Sequence, residues 1–358
     1  MSRSGHPSAS NRAARLAASA LAWAAALAPV ASNSAPATVA EIASYSAADR
    51  QQVLEAGARK EGALMIYTTG TQIQPLIERF RQIYPYLDAQ MPRATSEDVA
   101  RKVIEEYGAG LFQVDVFELS SYGLIVPREQ GVLQPYATPQ AAEYPASAIE
   151  PNRMWISARE SYVGIGYNTS IIKPEDAPKT YQDLLDPKWK GRMAISYSMS
   201  TTANVIGAMV LTHGEDFVRK LGQQNNRVYP LLGRALANLT ISGEAPLSWT
   251  TYDSHVLASR AQGAPIAWNA PGPVPVTDTS LALASKAPHP FAAMLFIDFA
   301  LSREGQEMYQ KLGYSSARNN MPTTGTTNVR KLYLTNRPNY VADYEAWTAL
   351  TQSVFIRK

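Results

Sequence analysis

The chain has 358 residues, of which 33 are Lys or Arg and 30 are Asp or Glu, and it contains no cysteine. The absence of cysteine excludes a disulfide framework, a thiolate metal site and a cysteine nucleophile, and it excludes a lipoprotein anchored through an N-terminal cysteine. The excess positive charge comes from Arg3, Arg12 and Arg15, because no acid precedes Glu41. The remaining residues carry balanced charges, which indicates no basic face for a nucleic acid or an anionic membrane.

Residues 1–37 have the pattern of a secretory signal peptide. The three arginines form a positive start, an apolar run rich in Ala and Leu spans Leu16–Val30, and small residues follow it. This run is shorter than the roughly 20 apolar residues that a membrane-spanning helix needs. We therefore expect export through a cleaved signal peptide, with Ala35-Pro36-Ala37 as a candidate cleavage site, and a periplasmic location.

About 320 residues follow that segment, which is more than one hydrophobic core usually serves, so two domains are expected. In the first part of the mature chain, strands alternate with helices, and this alternation predicts a wound α/β sheet. The predicted elements are a helix Glu41–Lys60, a strand Leu64–Tyr67, a helix Pro75–Tyr84, a strand Leu87–Met91, a helix Ser96–Tyr107 and a strand Val114–Leu119.

A second α/β unit is predicted after Trp155. Thr180 and Asp183 form a capping-box pattern, which predicts a one-turn helix Tyr181–Leu185 that ends before Pro187. The other predicted elements are strands Ser161–Tyr167, Arg192–Ser196, Pro246–Thr250 and Ile266–Trp268, and helices Asn204–Leu211, Glu215–Leu221 and Ser254–Ala261.

Two long extended segments, Ile156–Tyr167 and Val276–Ala284, are the expected crossings between two lobes. The second lobe is then inserted in the first, which resumes near Ser285 with two predicted helices, Phe291–Ala300 and Arg303–Leu312. The polar and aromatic tail, residues 323–358, is expected to pack at the C-terminus.

Three stretches of this sequence have residue patterns that occur, in the same order, in one protein family. They are Gly166–Thr169 followed by Tyr181–Arg192; Ala56–Gly62 leading into Ala63–Tyr67; and Ala287–Ala293 followed by Ser302–Gln306. Together they resemble the periplasmic solute-binding proteins of ABC importers, in the branch that includes ferric-iron binders. The similarity runs from about Ala56 to Pro322.

This resemblance implies a two-lobed α/β fold of the type 2 periplasmic-binding-protein class. Its second lobe is inserted in the first and joined to it by two crossing strands. The expected domains are lobe 1 at 38–159 plus 285–358 and lobe 2 at 160–284. The resemblance also implies a monomeric receptor that closes on a small-molecule solute and delivers it to a membrane permease.

In open α/β sheets, ligands bind beyond the carboxyl ends of strands, where helix starts present free N–H groups. The candidate solute-binding residues, mostly hydroxyl-bearing, follow four predicted strands: Thr68, Thr69, Gly70 and Thr71; Ser120 and Ser121; Ser198, Ser200, Thr201 and Thr202; Thr251, Tyr252 and Asp253. Such groups also serve as ordinary helix caps. They suit a small anion that bears a carboxylate, phosphate or phosphonate, with Arg93 as the expected cation and Arg159 as the second choice.

A ferric-iron receptor stays open as an alternative. Iron binders of this branch commonly place a histidine or acid after the first strand and two adjacent tyrosines after a strand of the second lobe. Here those positions read Thr68–Thr71 and Thr250-Thr251-Tyr252. Threonine hydroxyls are not the anionic oxygen ligands that a hard ferric ion prefers, and Tyr252, Asp253 and His255 would supply only a partial set. We expect no metal and no cofactor.

The sequence contains no nucleophile elbow, no His-Glu-x-x-His pair, no Walker loop and no cysteine nucleophile, so enzymatic activity is not expected. The same two-lobed fold also serves some enzymes. A periplasmic enzyme or a sensory module is therefore the alternative from another functional class.

Overall fold

The structure is a computed structural model that describes residues 38–70, 73–196, 199–231, 233–321 and 330–356. The predicted signal peptide and the candidate residues Thr71 and Ser198 lie outside the described residues. In the described part of the chain, no helix is long and apolar enough to cross a membrane.

The described residues form α/β structure. The helices are α1 Val39–Ser44, α2 Arg50–Glu61, α3 Gln74–Ile83, α4 Ser96–Gly108, α5 Ile125–Glu129, α6 Met199–His213, α7 Glu215–Gly222, α8 Gly233–Ser242, α9 Asp253–Arg260, α10 Pro290–Leu301, α11 Arg303–Lys311 and α12 Tyr340–Thr351. The strands are β1 Ala63–Thr68, β2 Asp88–Gln90, β3 Val116–Ser120, β4 Leu133–Gln134, β5 Ile156–Asn168, β6 Met193–Ser196, β7 Arg227–Tyr229, β8 Leu247–Tyr252, β9 Ile266–Asn269, β10 Val274–Ala284 and β11 Lys331–Leu332.

The strands join in the order β2-β1-β3-β10-β5-β8-β6-β7, with β4 and β11 also paired to β10 and β9 paired to β5. Strand β1 runs parallel to β2 and β3 on one side, and β6 runs parallel to β7 and β8 on the other. Between these two parallel groups lie β5 and β10, which are antiparallel to each other and to their outer neighbours. The two predicted crossing segments are thus strands, and they form the centre of the sheet.

Helix α10 is buried on nearly all sides, since nine of its residues lie in the core. It packs against α2, β1 and β10, which explains a sequence that is apolar around the whole helix. Its one acid, Asp298, pairs with Arg50 at 2.6 Å and accepts a hydrogen bond from Tyr136, so the charge is compensated where it is partly buried.

The prediction of one continuous helix over Glu41–Lys60 was wrong. The chain instead forms α1 and α2, and residues 45–49 leave the helix between them. Ile42 and Ala43 of α1 are buried in the main core, and Tyr45 after the helix is extended, with its hydroxyl donating to Asp49 at 2.7 Å. The packing of α1 against the core therefore outweighs the propensity of residues 41–60 to form one continuous helix.

The C-terminal tail packs as expected, and it contacts elements on both sides of the two crossing strands. Tyr340 and Tyr344 of α12 contact the ring of Tyr122, which follows β3, with ring centroids 6.5 and 4.9 Å apart. The Tyr340 hydroxyl also donates to Asn204 of α6 at 3.0 Å. A methyl group added at Gly207 of α6 would lie 2.4 Å from the Trp347 ring, so α12 lies directly against α6.

Candidate functional site

A cavity of about 200 Å³ opens between the two parallel groups of strands. Its lining comes from the start of α4, the turn after β3, the first half of α6, the end of β8, the strand β10 and the C-terminal segment. The lining residues are Ser96, Ser120, Ser121, Tyr122, Asn204, Tyr252, Val276, Thr277, Asp278 and Thr335. Three of the residues predicted from sequence, Ser120, Ser121 and Tyr252, therefore meet here.

The hydroxyls after β3 are held by the turn that follows the strand. The Ser120 side chain caps the 3-10 turn Ser121–Leu124 by accepting from the Gly123 N–H at 3.2 Å. It also lies 2.9 Å from the hydroxyl of Ser96, the first residue of α4. The turn thus fixes two hydroxyls beside a helix start, which is an arrangement suited to a polar ligand.

Tyr252, at the end of β8, lines the opposite wall of the cavity. Its hydroxyl lies 2.7 Å from that of Thr201 in the first turn of α6. Burial raises the pKa of Tyr252, against the smaller effect of hydrogen bonds from Thr201 and Thr277, so the phenol stays protonated at neutral pH. Thr201 contacts this tyrosine and is not itself among the lining residues. The backbone of Ser200 lies in the same turn of α6.

Asp278 is the acid of the cavity, and the sequence analysis did not select it. Its Oδ2 accepts hydrogen bonds from Ser121 at 2.6 Å and from Ser280 at 2.9 Å. Burial raises its pKa to about 6, opposed in part by these two hydroxyls. Among the described lining residues there is no Lys, Arg or His to balance its charge.

The loop after β1 lies apart from the residues that line the cavity. The buried Thr68 hydroxyl donates to Glu118 at 2.5 Å and accepts from the Gly70 N–H at 2.8 Å, so its hydrogen-bonding capacity is used within the fold. Thr69 is partly exposed, and its carbonyl accepts from the Nε of the exposed Arg93 at 3.2 Å.

Arg159, the second expected cation, is engaged by a buried acid. Its Nε lies 2.7 Å from Glu118, which is fully buried, and its guanidinium lies 4.5 Å from the centre of the Tyr314 ring. Burial would lower the pKa of Arg159, but the charge of Glu118, its hydrogen bond and the nearby phenols together outweigh burial and raise the pKa. The pair therefore joins β3 to β5 and leaves little of this cation for a solute.

Three further candidates hold local structure. Thr202 donates to the Ser196 carbonyl at 2.7 Å, and the methyl side of Thr251 packs against β5. Asp253 accepts from the N–H groups of Tyr162 and Ser254, both at 2.8 Å, and so links β5 to the start of α9.

Several lining residues were missed, and some of them carried a signal. Thr277 and Asp278 begin a run of four polar residues, Thr277–Ser280, in the middle of a mostly apolar crossing strand, and such a run in a buried strand is a recognisable irregularity. The others carried none: Ser96, Tyr122, Asn204 and Thr335 have ordinary local sequences. In the described part of the chain, no three residues of the types His, Cys, Asp and Glu cluster so that they could hold a metal ion.

Residues 127–331 match the bacterial extracellular solute-binding proteins, which covers more than half of the chain. The chain belongs to this family. It is a solute-binding protein of a family that works outside the cytoplasm.

Two curated relatives match this solute-binding protein. One is an uncharacterized protein of Haemophilus influenzae, 26% identical over 282 residues that cover 72% of this chain and 78% of the relative. The other is iron uptake protein A1 of Synechocystis, 29% identical over 204 residues that cover 52% of this chain and 56% of the relative.

Solved structures of periplasmic binding proteins share the fold. A ferric iron-binding protein A of Mannheimia haemolytica in an open conformation gives a TM-score of 0.71 at 16% identity, covering 82% of this chain and 98% of that one. AfuA of Actinobacillus pleuropneumoniae with fructose-6-phosphate bound gives 0.68 at 22% identity, covering 83% and 99%. The expected two-lobed α/β fold, with the second lobe inserted through two crossing strands, is thereby confirmed.

Proposed function

We propose that this receptor captures a small anionic solute that bears a carboxylate, phosphate or phosphonate. The cavity carries the proposal: hydroxyls from both sides of the crossing strands face a space of about 200 Å³. Pockets for drug-sized ligands measure about 300–1,000 Å³, so this one suits a smaller molecule. The binding of fructose-6-phosphate by AfuA supports a phosphate-bearing solute.

Two helix starts support an anion. Helix α4 begins at Ser96 on the cavity wall, and α6 begins at Met199 and carries Asn204 to the same wall. A helix start attracts negative charge by about 0.3–1 kcal/mol when exposed and up to ~2 kcal/mol when partly buried. In this proposal, Arg93 adds a positive charge from its exposed position beside Thr69, and Ser200 adds a hydroxyl from the first turn of α6.

Capture proceeds by hinge closure. The lobes are 38–159 plus 285–358 and 160–284, with β5 and β10 between them, and a solute that contacts both lobes stabilises the closed form. The mature receptor is a monomer, exported through the signal peptide at 1–37 and recognised by the permease in its closed form. It releases the solute chemically unchanged, which distinguishes it from an enzyme on the same fold.

Native mass spectrometry of freshly purified protein, followed by identification of the co-purified molecule, tests the class of solute. For an anionic solute, the double variant Arg93→Ala/Ser200→Ala is expected to weaken affinity at least about tenfold, since a hydrogen bond to a charged group contributes about 1.5–3 kcal/mol. Ser242→Ala, which removes an exposed hydroxyl elsewhere, serves as the control. An unchanged affinity in the double variant, or a co-purified neutral solute, contradicts the proposal.

A ferric-iron receptor is the second candidate, because one relative is an iron uptake protein. Tyr252 lines the cavity and offers a phenol oxygen, a type of ligand that a ferric ion accepts. Tyrosinate bound to ferric iron gives coloured protein. A colourless preparation that does not change on addition of ferric citrate excludes this candidate.

A further inference from the structure

Asp278 lies in the middle of β10, where the crossing strand forms one wall of the cavity. Its side chain is buried, with 4% of the residue exposed, and it is the one carboxyl group among the described lining residues. An ionised carboxylate in this position would repel the anion proposed above. The hydrogen bonds around the group indicate how this conflict is resolved.

Three oxygen atoms form a closed triangle beneath the cavity. Oδ2 of Asp278 lies 2.6 Å from the Ser121 hydroxyl and 2.9 Å from the Ser280 hydroxyl, and the two hydroxyls lie 2.7 Å from each other. Each of these distances is that of an O–H···O hydrogen bond, so the triangle needs three protons. The two serines supply one each. As a carboxylate, Asp278 accepts from both serines and the contact between Ser121 and Ser280 lacks a proton, whereas a carboxylic acid at Asp278 supplies the third proton.

In the part of the chain that the structure describes, the charged groups around Asp278 offer it no cation of its own, since the nearby Lys331 pairs with Glu160. Glu160 lies directly opposite on β5, and it is engaged by Lys331 of β11 at 2.7 Å and by the hydroxyls of Tyr162 and Tyr333. The α12 residue Tyr340 and the lining residues Tyr122 and Tyr252 add only phenols. Burial, with a smaller contribution from Glu160, raises the pKa of Asp278 to about 6, against the effect of the two serines.

We propose that Asp278 meets the solute as a neutral carboxylic acid, so that capture of an anion at neutral pH takes up one proton from solvent onto this side chain. The inference rests on the anion receptor proposed above. The proton removes the repulsion between the solute and the carboxylate, and it completes the hydrogen-bonded triangle with Ser121 and Ser280. Asp278 is then the residue that couples solute affinity to pH.

The first experiment uses the free protein and needs no ligand. Carbon-13 NMR of the aspartate carboxyl groups, assigned by comparison with Asp278→Asn, is expected to give a titration midpoint for Asp278 near about 6. An unperturbed aspartate titrates near about 3.9. A midpoint close to that value overturns the inference, because Asp278 would then be ionised at every pH at which the receptor works.

The second experiment measures affinity by calorimetry from about pH 5 to about pH 8. The probes are sulfate, isethionate and fructose 6-phosphate, of which the first two keep the same charge across this range. Uptake of one proton predicts that the affinity of the wild type falls by up to about tenfold per pH unit above the midpoint. Calorimetry in buffers of different ionisation enthalpy then counts the proton directly.

The variant Asp278→Asn is permanently neutral and close in shape. It is expected to lose the pH dependence and to bind at about pH 8 at least as tightly as the wild type does. The control Asp216→Asn makes the same change of charge at an exposed position on α7 and is expected to keep the wild-type pH dependence.

Each outcome separates this inference from the anion proposal. Binding of the probes without pH dependence in the wild type, or with the same dependence in Asp278→Asn, overturns the inference and leaves the anion receptor standing. Weaker binding by Asp278→Asn at about pH 8 also overturns it, because the carboxylate itself would then be required. If none of the three anions binds to the wild type at any pH and the co-purified solute is neutral, the anion proposal fails and the inference fails with it.

Discussion

At the scale of single residues, two glycines decide how closely the neighbours of β5 approach it. A methyl group at Gly164 would lie 2.6 Å from the Trp268 ring, and one at Gly166 would lie 2.6 Å from the Thr251 methyl. Atoms cannot approach this closely without displacement, and Gly166 belongs to one of the stretches that resemble the family. Their role is therefore to admit Trp268 and Thr251 against the crossing strand.

We predict that Gly166→Ala lowers the free energy of unfolding by about 1–3 kcal/mol, because the added methyl overpacks the contact with Thr251. Urea denaturation measures the change. Gly108→Ala is the matched control: nothing lies within 4 Å of a methyl group there, and we expect it to be neutral or stabilising by about 0.4–1 kcal/mol. Equal stability of the two variants would contradict the packing argument.

The raised pKa of Asp278 predicts how stability depends on pH in the free protein. An acid whose pKa is higher in the folded state binds more protons when folded, so its contribution to stability decreases as pH rises. The decrease begins near the unfolded value of about 3.9 and levels off above about 6. In thermal denaturation, the Tm of the wild type should therefore fall relative to that of Asp278→Asn as pH rises across this range. A difference that does not vary with pH would contradict it.

At the scale of secondary-structure elements, α12 packs against the core on both sides of the crossing strands β5 and β10. Trp347 is buried against Gly207 of α6, and Tyr344 contacts the Tyr122 ring at 4.9 Å. The following turn continues along the same side, where Val354 packs on Gly222 and Phe355 contacts Trp249 at 5.6 Å. The C-terminal segment, which the proposed bounds assign to the first lobe, thus packs against α6 and α7 of the proposed second lobe as well.

Trp347→Ala is expected to cost about 3–5 kcal/mol of stability, since it removes a large buried side chain and leaves a cavity against α6. Chemical denaturation with Glu345→Ala as an exposed control on the same helix checks this. If Trp347→Ala unfolded as the control does, α12 would be a loosely attached extension of the fold.

At the scale of the whole molecule, hinge closure makes a prediction that can be measured directly. The chain contains no cysteine, so two introduced cysteines label without any background. Spin labels on Glu78→Cys in α3 and Asp216→Cys in α7, both exposed, report the separation of the proposed lobes. Binding of the co-purified solute should shorten and narrow the distance distribution. A distribution that is the same with and without the solute would contradict closure.

Although it missed α5, α8, α12 and the short strands β4, β7 and β11, the sequence by itself determined most of the strands and helices in their order, the two crossing strands and the family. These follow from short-range signals such as the capping box of Thr180 and Asp183, in which Thr180 Oγ1 accepts from the Asp183 N–H at 3.2 Å and the carboxylate accepts from the Thr180 N–H at 2.9 Å. Periodicity and capping act over a few residues, so they can be recognised without knowing what lies opposite in space.

Only the tertiary structure decided which polar residues meet in the cavity. Ser121 and Asp278 are 157 positions apart, and they touch because β10 returns antiparallel beside β3. Arg159 reaches Glu118 across β10, which pairs with both β3 and β5, and the Thr68 loop does not contribute to the cavity lining. Contacts of this kind depend on strand pairing and on the direction of each side chain from its strand, and neither can be recognised in a local stretch of sequence.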